Sequence, residues 1–285
     1  MKTNTGEKSI SARLEQLHPF ENHPFRVVED DALRQLAQSI RENGVLTPCI
    51  VRPSSYGDGY ELLSGHRRVA ACRLIARKTV PVIVRELDDD AAVILMVDSN
   101  QQRENLLPSE KAFAYRMKLD AMKHQGKSTE STCAQVGHKL KSRDIVAREA
   151  GESRNQVQRY IRLTYLEENL LEMVDEGRIS FSPAVEISFL KHDEQCMLLE
   201  TILTEESTPS LSQAQNLKSL SLEGKLDIDT ILAIMSEQKG NQMNRLKLRE
   251  DKLREFFPES YTPRQMEEVI LQLLAQWKRT NPKSK

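Results

Sequence analysis

Residues 49–87 read CIVRPSSYGDGYELLSGHRRVAACRLIARKTVPVIVREL, and their alternation of patterns decides the fold. CIVRP (49–53) is a short apolar run with β-branched residues, a buried strand. YGDGY (56–60) carries the glycines and aspartate of a hairpin turn, and YELLS (60–64) is the returning strand. After Gly65 the period changes: HRRVAACRLIAR places Val69, Cys72 and Leu74 or Ile75 on one face of a helix. VPVIVREL (80–87) returns to strand.

Outward from this core the same logic holds. Upstream, Asp30 and Asp31 precede ALRQLAQSIRENG, where Leu33, Leu36, Ala37 and Ile40 recur at helical spacing and Gly44 follows as C-cap. Residues 1–13 are polar and expected to be mobile, with structure starting near Leu14. Downstream, DDDAAVILMV (88–97) opens a helix with acids at its N-terminus, where the macrodipole favours them. Residues 14–106 therefore form an α/β domain. From Pro108 the strand signals stop. PSEKAFAYRMKLDAMKHQG is a helix, residues 127–140 a polar loop, and the chain stays helical thereafter. The expected class is α+β, with an all-α domain over 107–193 and a helical C-terminal region over 194–285.

The 285 residues are 39% hydrophobic and 29% charged, with a formal net charge of -1. This is an ordinary globular balance, so nucleic-acid affinity must be read locally. The four cysteines form no CxxC pair and sit at no zinc-ligand spacing, which argues against a metal finger. There is no apolar leader and no run near the ~20 residues that span a bilayer. A cytoplasmic protein with no membrane partner is the expectation.

The segment 143–163, RDIVAREAGESRNQVQRYIRL, has the layout of a helix-turn-helix. Ala147 is the small residue where two helices cross, and Gly151 supplies the turn. Val146, Ala150, Val157 and Ile161 are apolar anchors, and Ser153 can cap the second helix. Arg143, Ser153, Arg154, Asn155, Gln156, Gln158, Arg159 and Arg162 are the candidate DNA-binding residues, because Arg, Asn and Gln read base edges bidentately. A solvated amphipathic helix pair has the same look.

Two further strings carry chemistry. In LLSGHRRVAA (62–71), a strand ends in Ser-Gly and a helix begins at once with His66, Arg67 and Arg68. Gly65 lets the backbone approach an anion, the new helix directs N–H groups at it, and the arginines add charge. A glycine turn with two solvated arginines is the plain alternative. In VDSNQQRENLLPSEKA (97–112), Asn100, Gln102, Arg103 and Glu104 cluster between two helices. They could hold a hydrated Mg²⁺ against phosphates, or simply make a polar turn.

Together these strings resemble the two boxes of the ParB/RepB partition family, G-E-R-R-x-R-A and E-N-x-Q-R-x-x-L-x-P-x-E-x-A. Here they read GHRRVAA at 65–71 and SNQQRENLLPSEKA at 99–112. ENGVLTPCIVRP with its G-D-G-Y hairpin is similar too, and the resemblance covers roughly residues 14–193. It implies CTP with Mg²⁺ in the N-terminal domain, a palindromic duplex site for the helix-turn-helix, a homodimer that closes as a clamp, and a ParA-type ATPase partner, as in chromosomal, plasmid and mobile-element partition. On this resemblance Gly65, His66, Arg67 and Arg68 hold the nucleotide with Asn100, Gln102 and Arg103, and Asn100 touches the metal. Three positions depart from the family pattern: His66 for Glu, Ala70 for Arg, and Ser99 for the Glu that opens the second box. A serine hydroxyl is a weak Mg²⁺ ligand and no base at neutral pH, so at most a weak CTPase is expected, with Asp98 as the one nearby substitute. The alternative is a DNA-binding regulator whose first domain is a plain scaffold. Sulfiredoxin-like chemistry is disfavoured, because no cysteine stands between Gly65 and His66.

The final helix, 261–279, carries Met266, Val269, Ile270, Leu273, Leu274 and Trp277 on one stripe. Such a stripe is either internal core or a self-association face.

Overall fold

The computed structural model describes residues 9–54, 57–100, 103, 106–128 and 142–236, with isolated positions between 256 and 276. The chain divides into one unit ending at Ser236 and a second from Glu237. In the second unit, the described positions 265, 266, 269, 270, 272, 273 and 276 are helical. Met266 is buried there and Leu273 exposed. Leu274 and Trp277 lie outside the described residues.

The first unit opens with a five-stranded mixed sheet, order β1-β5-β3-β4-β2. Its strands are β1 (Ile10–Arg13), β2 (Leu17–Pro19), β3 (Cys49–Pro53), β4 (Tyr60–Ser64) and β5 (Thr79–Val84). β3 and β4 form the expected antiparallel hairpin. β5 returns parallel to β3 after helix α2 (His66–Leu74), and β1 lies antiparallel along β5. β1 corrects the expectation that residues 1–13 lack structure. It is a four-residue edge strand in which only Ala12 is buried, too short and too polar to show alternation.

Both faces of the sheet are covered. Val51, Leu62, Val80 and Val82 pack under α2 and under α1 (Asp31–Asn43), against Leu33, Ala37, Ile40, Val69 and Cys72. Leu63, one residue on and therefore on the opposite face, packs with Met96 and Val97 of α3 (Asp89–Asn100) and Ala114 of α4 (Pro108–Ser128). α1 starts where Asp30 accepts from the Leu33 N–H at 2.7 Å and ends at Gly44, whose φ is +75°.

α4 leads into an all-helical region: α5 (Ser142–Ala150), α6 (Arg154–Leu163), α7 (Glu168–Asp175), α8 (Phe181–Ile187), α9 (His192–Glu205), α10 (Leu211–Leu222) and α11 (Ile228–Ser236). The domain break expected after residue 193 moves. Leu170, Ile187, Leu198, Leu217 and Ile231 belong to one hydrophobic cluster, so α9–α11 share the core of α7 and α8 and cannot be cut from it without exposing that core.

Candidate functional site

The anion-type loop forms at the strand-to-helix turn between β4 and α2. Gly65 sits at the N-cap of α2 with φ +111°. A Cβ there would lie 2.6 Å from the Cys49 Sγ and 3.1 Å from Arg68, so only glycine fits. The first N–H groups of α2 have no helical carbonyl to bond and point into the space before the helix. Arg68 folds back to donate to the carbonyls of Thr47 and Pro48 at 2.5 and 2.7 Å. Arg67 donates to Asp30 at 2.9 Å, which ties the loop to the start of α1.

The second box reaches the same place. Arg103, just past α3, interacts with Arg67 and with both His66 and His23. Its pKa is lowered by burial first and by Arg67 after that, against the pull of Glu110. Three arginines therefore converge, and among the described residues the carboxylates seen to act on them are Asp30 and Glu110; Glu110 is engaged as acceptor for the Arg26 and Leu107 N–H groups at 2.7 and 3.0 Å. Such a concentration of cation charge on a helix N-terminus fits a polyphosphate. Gln102 lies outside the described residues.

His23 carries no signature in the sequence pattern. Its ring lies against that of His66, tilted by 44°, with centroids 3.8 Å apart. His66 is pushed down to about 3, by burial first, then by His23, Arg103 and Arg68.

The metal side is thinner. Asn100 is buried, and its amide nitrogen is tied to the Met96 carbonyl at 2.9 Å. The Ser99 hydroxyl donates back to the same carbonyl at 2.9 Å. Asp98 does not stand in for the missing carboxylate. It pairs with Lys118 of α4, which also holds Glu149 of α5 at 2.6 Å. Among the described residues no group of three His, Cys, Asp or Glu side chains could bind a metal. Among the described residues of this box, Asn100 carries an amide oxygen, a group that could join phosphates and water around a divalent cation.

The helix-turn-helix is built as its residues suggest. Gly151 turns with φ +66°. Val146, Ala147 and Val157 are buried with Tyr115 of α4. Tyr115 packs edge-on to Tyr160 at 5.7 Å, and its hydroxyl is pushed up to about 12 by burial first and by Glu152 next. Ser153 caps α6 by accepting from the Gln156 N–H at 3.1 Å.

The polar residues of α6 divide into two groups. Arg154 and Asn155 are exposed at its N-terminal end, and so is Arg143 on α5. Gln158 and Arg143 line a cleft of about 380 Å³ with Arg116, Lys123 and Arg162. Arg159 and Arg162 face inward. Arg159 donates to Ser182 at 2.7 Å and lies over the Phe181 ring; Gln156 accepts a longer bond from it at 3.4 Å. Arg162 donates to the Ser188 hydroxyl and carbonyl at 3.1 and 2.6 Å and lies over Phe189 and Tyr165. These two side chains clamp α6 to α8 and the turn after it.

The fold and its two sites define a class: a helix-turn-helix protein carrying a mixed-sheet domain with an anion cradle. The ParB N-terminal domain model matches residues 1–101 and the ParB HTH domain model residues 104–214. The "Probable chromosome 1-partitioning protein ParB" of Deinococcus radiodurans is 37% identical over 183 residues, covering 64% of this chain and 57% of that protein. The "Chromosome-partitioning protein Spo0J" of Thermus thermophilus is 33% identical over 214 residues, covering 75% of this chain and 71% of that protein. The chain belongs to the ParB family. Among solved structures, a C-terminally truncated ParB from Caulobacter crescentus on its centromeric parS site matches with 25% identity and TM-score 0.43, covering 75% of this chain and 100% of that one. The same protein with CTP-gamma-S matches with 28% identity and TM-score 0.32, covering 69% and 99%.

Proposed function

We propose that this chain is a sequence-specific DNA-binding partition protein of the ParB type, and that CTP with Mg²⁺ at Gly65, His66, Arg67, Arg68, Asn100, Gln102 and Arg103 closes a homodimer around duplex DNA. One observation carries the DNA part. Arg154 and Asn155 are exposed at the N-terminal end of α6, with Gln158, and Arg143 of α5, on the cleft beside it, where a recognition helix meets base edges, while Arg159 and Arg162 are occupied in bracing that helix. The convergence of Arg67, Arg68 and Arg103 on the start of α2 supports the nucleotide part. A ParA-type ATPase is the partner the family suggests, and the stripe on the final helix is the candidate dimer face. Selection from a random duplex pool tests the reading. It should return one palindromic motif, and Arg154→Ala should abolish the enrichment; a pool left unenriched would refute it.

A second reading has its own support. The Ser99 hydroxyl is bonded to its own helix and Asp98 to Lys118, so no free carboxylate stands where the family's second box opens. Nucleotide turnover should be weak, and a static DNA-binding regulator results if binding is lost as well.

A further inference from the structure

His66 stands where the first family box has glutamate, and the fold sets a second histidine against it. His23, from the irregular segment after β2, lies against it at 3.8 Å. The His23 Nδ1 is 2.8 Å from the Phe25 carbonyl. A carbonyl only accepts, so Nδ1 carries the proton and Nε2 is left with a bare lone pair. That Nε2 and the Nε2 of His66 are both buried without a hydrogen-bond partner among the described residues. Two such orphaned atoms on adjacent rings are costly and unusual, and neither ring has to give up an Nε2 bond in order to turn toward a ligand.

The charges facing the pair are Arg68 on α2 and Arg103 beyond α3. Around them stand Arg67 with its partner Asp30 at the head of α1, Glu110 on α4, and the neutral Cys49 thiol of β3 beside Gly65. Both histidines are held neutral, by burial first and then, for His66, by His23 and the two arginines. A polyphosphate settling on these arginines reverses the sign of the local field and brings acceptor oxygens.

We propose that His23 and His66 are a proton-linked arm of the polyphosphate site: binding a nucleoside triphosphate draws one proton from solvent onto the pair, whose Nε2 then donates to a phosphate oxygen. This rests on the nucleotide reading above. The sign follows from linkage. The free pair holds fewer protons than the bound pair, so affinity rises as pH falls and levels off above the bound-state pKa. If the bound pair regains an ordinary value of ~6.5, uptake is about 0.8 proton per nucleotide at pH ~6 and near zero at pH ~8, and affinity is about fourfold tighter at the lower pH.

Calorimetry of the full chain with CTP and Mg²⁺, in two buffers of different ionisation enthalpy at about pH 6, 7 and 8, reads this uptake directly. The terminal phosphate of CTP also titrates, and the His23→Gln/His66→Gln double variant measures that share. The histidine Cε1–H resonances of the wild type, followed with and without CTP, answer the same question without any substitution. Uptake at pH ~6 in excess of the double variant, with the resonances of the pair together moving by the protonation of one histidine, is the expected result. CTP binding with equal uptake in both proteins, or with histidine resonances unmoved, overturns the proton-linked arm and leaves the nucleotide site standing. No binding heat at any pH removes the nucleotide site itself, and the arm with it.

Discussion

Arg162→Ala and Arg154→Ala should separate into opposite phenotypes, although both remove an arginine from the same helix. Arg162 makes two hydrogen bonds to Ser188, whose residue is almost wholly buried, and covers two aromatic rings. A hydrogen bond from a charged donor is worth about 1.5–3 kcal/mol and a cation–π contact about 0.5–1 kcal/mol, and such contacts overlap when they share one side chain. Their combined loss is about 2–4 kcal/mol, or roughly 4–16 °C in Tm for a unit of this size. Arg154 is exposed, and its single ion pair with Asp144 is long at 3.7 Å. Removing it should change stability by less than ~0.5 kcal/mol. Specific DNA affinity should instead drop by about 1–3 kcal/mol, roughly 5- to 150-fold, with non-specific binding to scrambled duplex largely kept. Differential scanning calorimetry and fluorescence anisotropy on matched and scrambled duplexes read both quantities. An Arg162→Ala protein that melts with the wild type yet loses discrimination would refute the division of α6 into a bracing face and a reading face.

Other consequences can be measured on the same protein. Gly65→Ala forces a β-carbon into the left-handed region and against Cys49; strain and overpacking together should cost about 2–5 kcal/mol in urea unfolding and abolish CTP binding. Asp30 is held below the usual carboxylate range, chiefly by the Leu33 N–H and then by Arg67. Its folded pKa is depressed, so its contribution is present above the unfolded value of ~3.9 and is lost as pH falls through the folded one. Denaturation curves of wild type and Asp30→Ala should therefore separate at neutral pH and converge in strong acid. Ser99→Glu restores a carboxylate beside Asn100, and phosphate-release assays should show Mg²⁺-dependent CTP turnover well above that of the wild type; equal, negligible release by both would mean that Ser99 is not the lesion.

Much of the fold was legible because local chemistry and tertiary packing agree. Asp30 and Gly44 bracket α1 as caps, the glycines of the 56–60 turn announce the hairpin, and Gly151 with Ala147 marks the helix crossing. β1 was not legible, because its place depends on hydrogen bonds to β5, nearly seventy residues on, and a single buried alanine leaves no pattern. The extent of the helical domain was hidden for a similar reason: nothing local says that α10 returns to cover α8. In the site, the arginine boxes could be read from spacing, whereas His23 lies forty-three residues before His66 in an irregular segment and only the fold brings them together. Arg159 and Arg162 read as groove residues by type alone, and their serine and aromatic partners lie on or beside another helix. Lys118 did leave a sign. It falls on the buried side of α4 in step with Ala114 and Ala121, where a lysine needs partners, and Asp98 and Glu149 supply them.

Nucleotide at the first domain and DNA at the helix-turn-helix are expected to act together, and one experiment can report on both. Interferometry would follow the protein on duplex DNA carrying its selected motif, with both ends of the DNA blocked, with and without CTP and Mg²⁺. The account predicts accumulation beyond one dimer per motif only when CTP is present, and its loss when one end is freed. Identical signals with and without CTP on motif DNA would contradict it and leave a static DNA-binding factor with an inherited first domain.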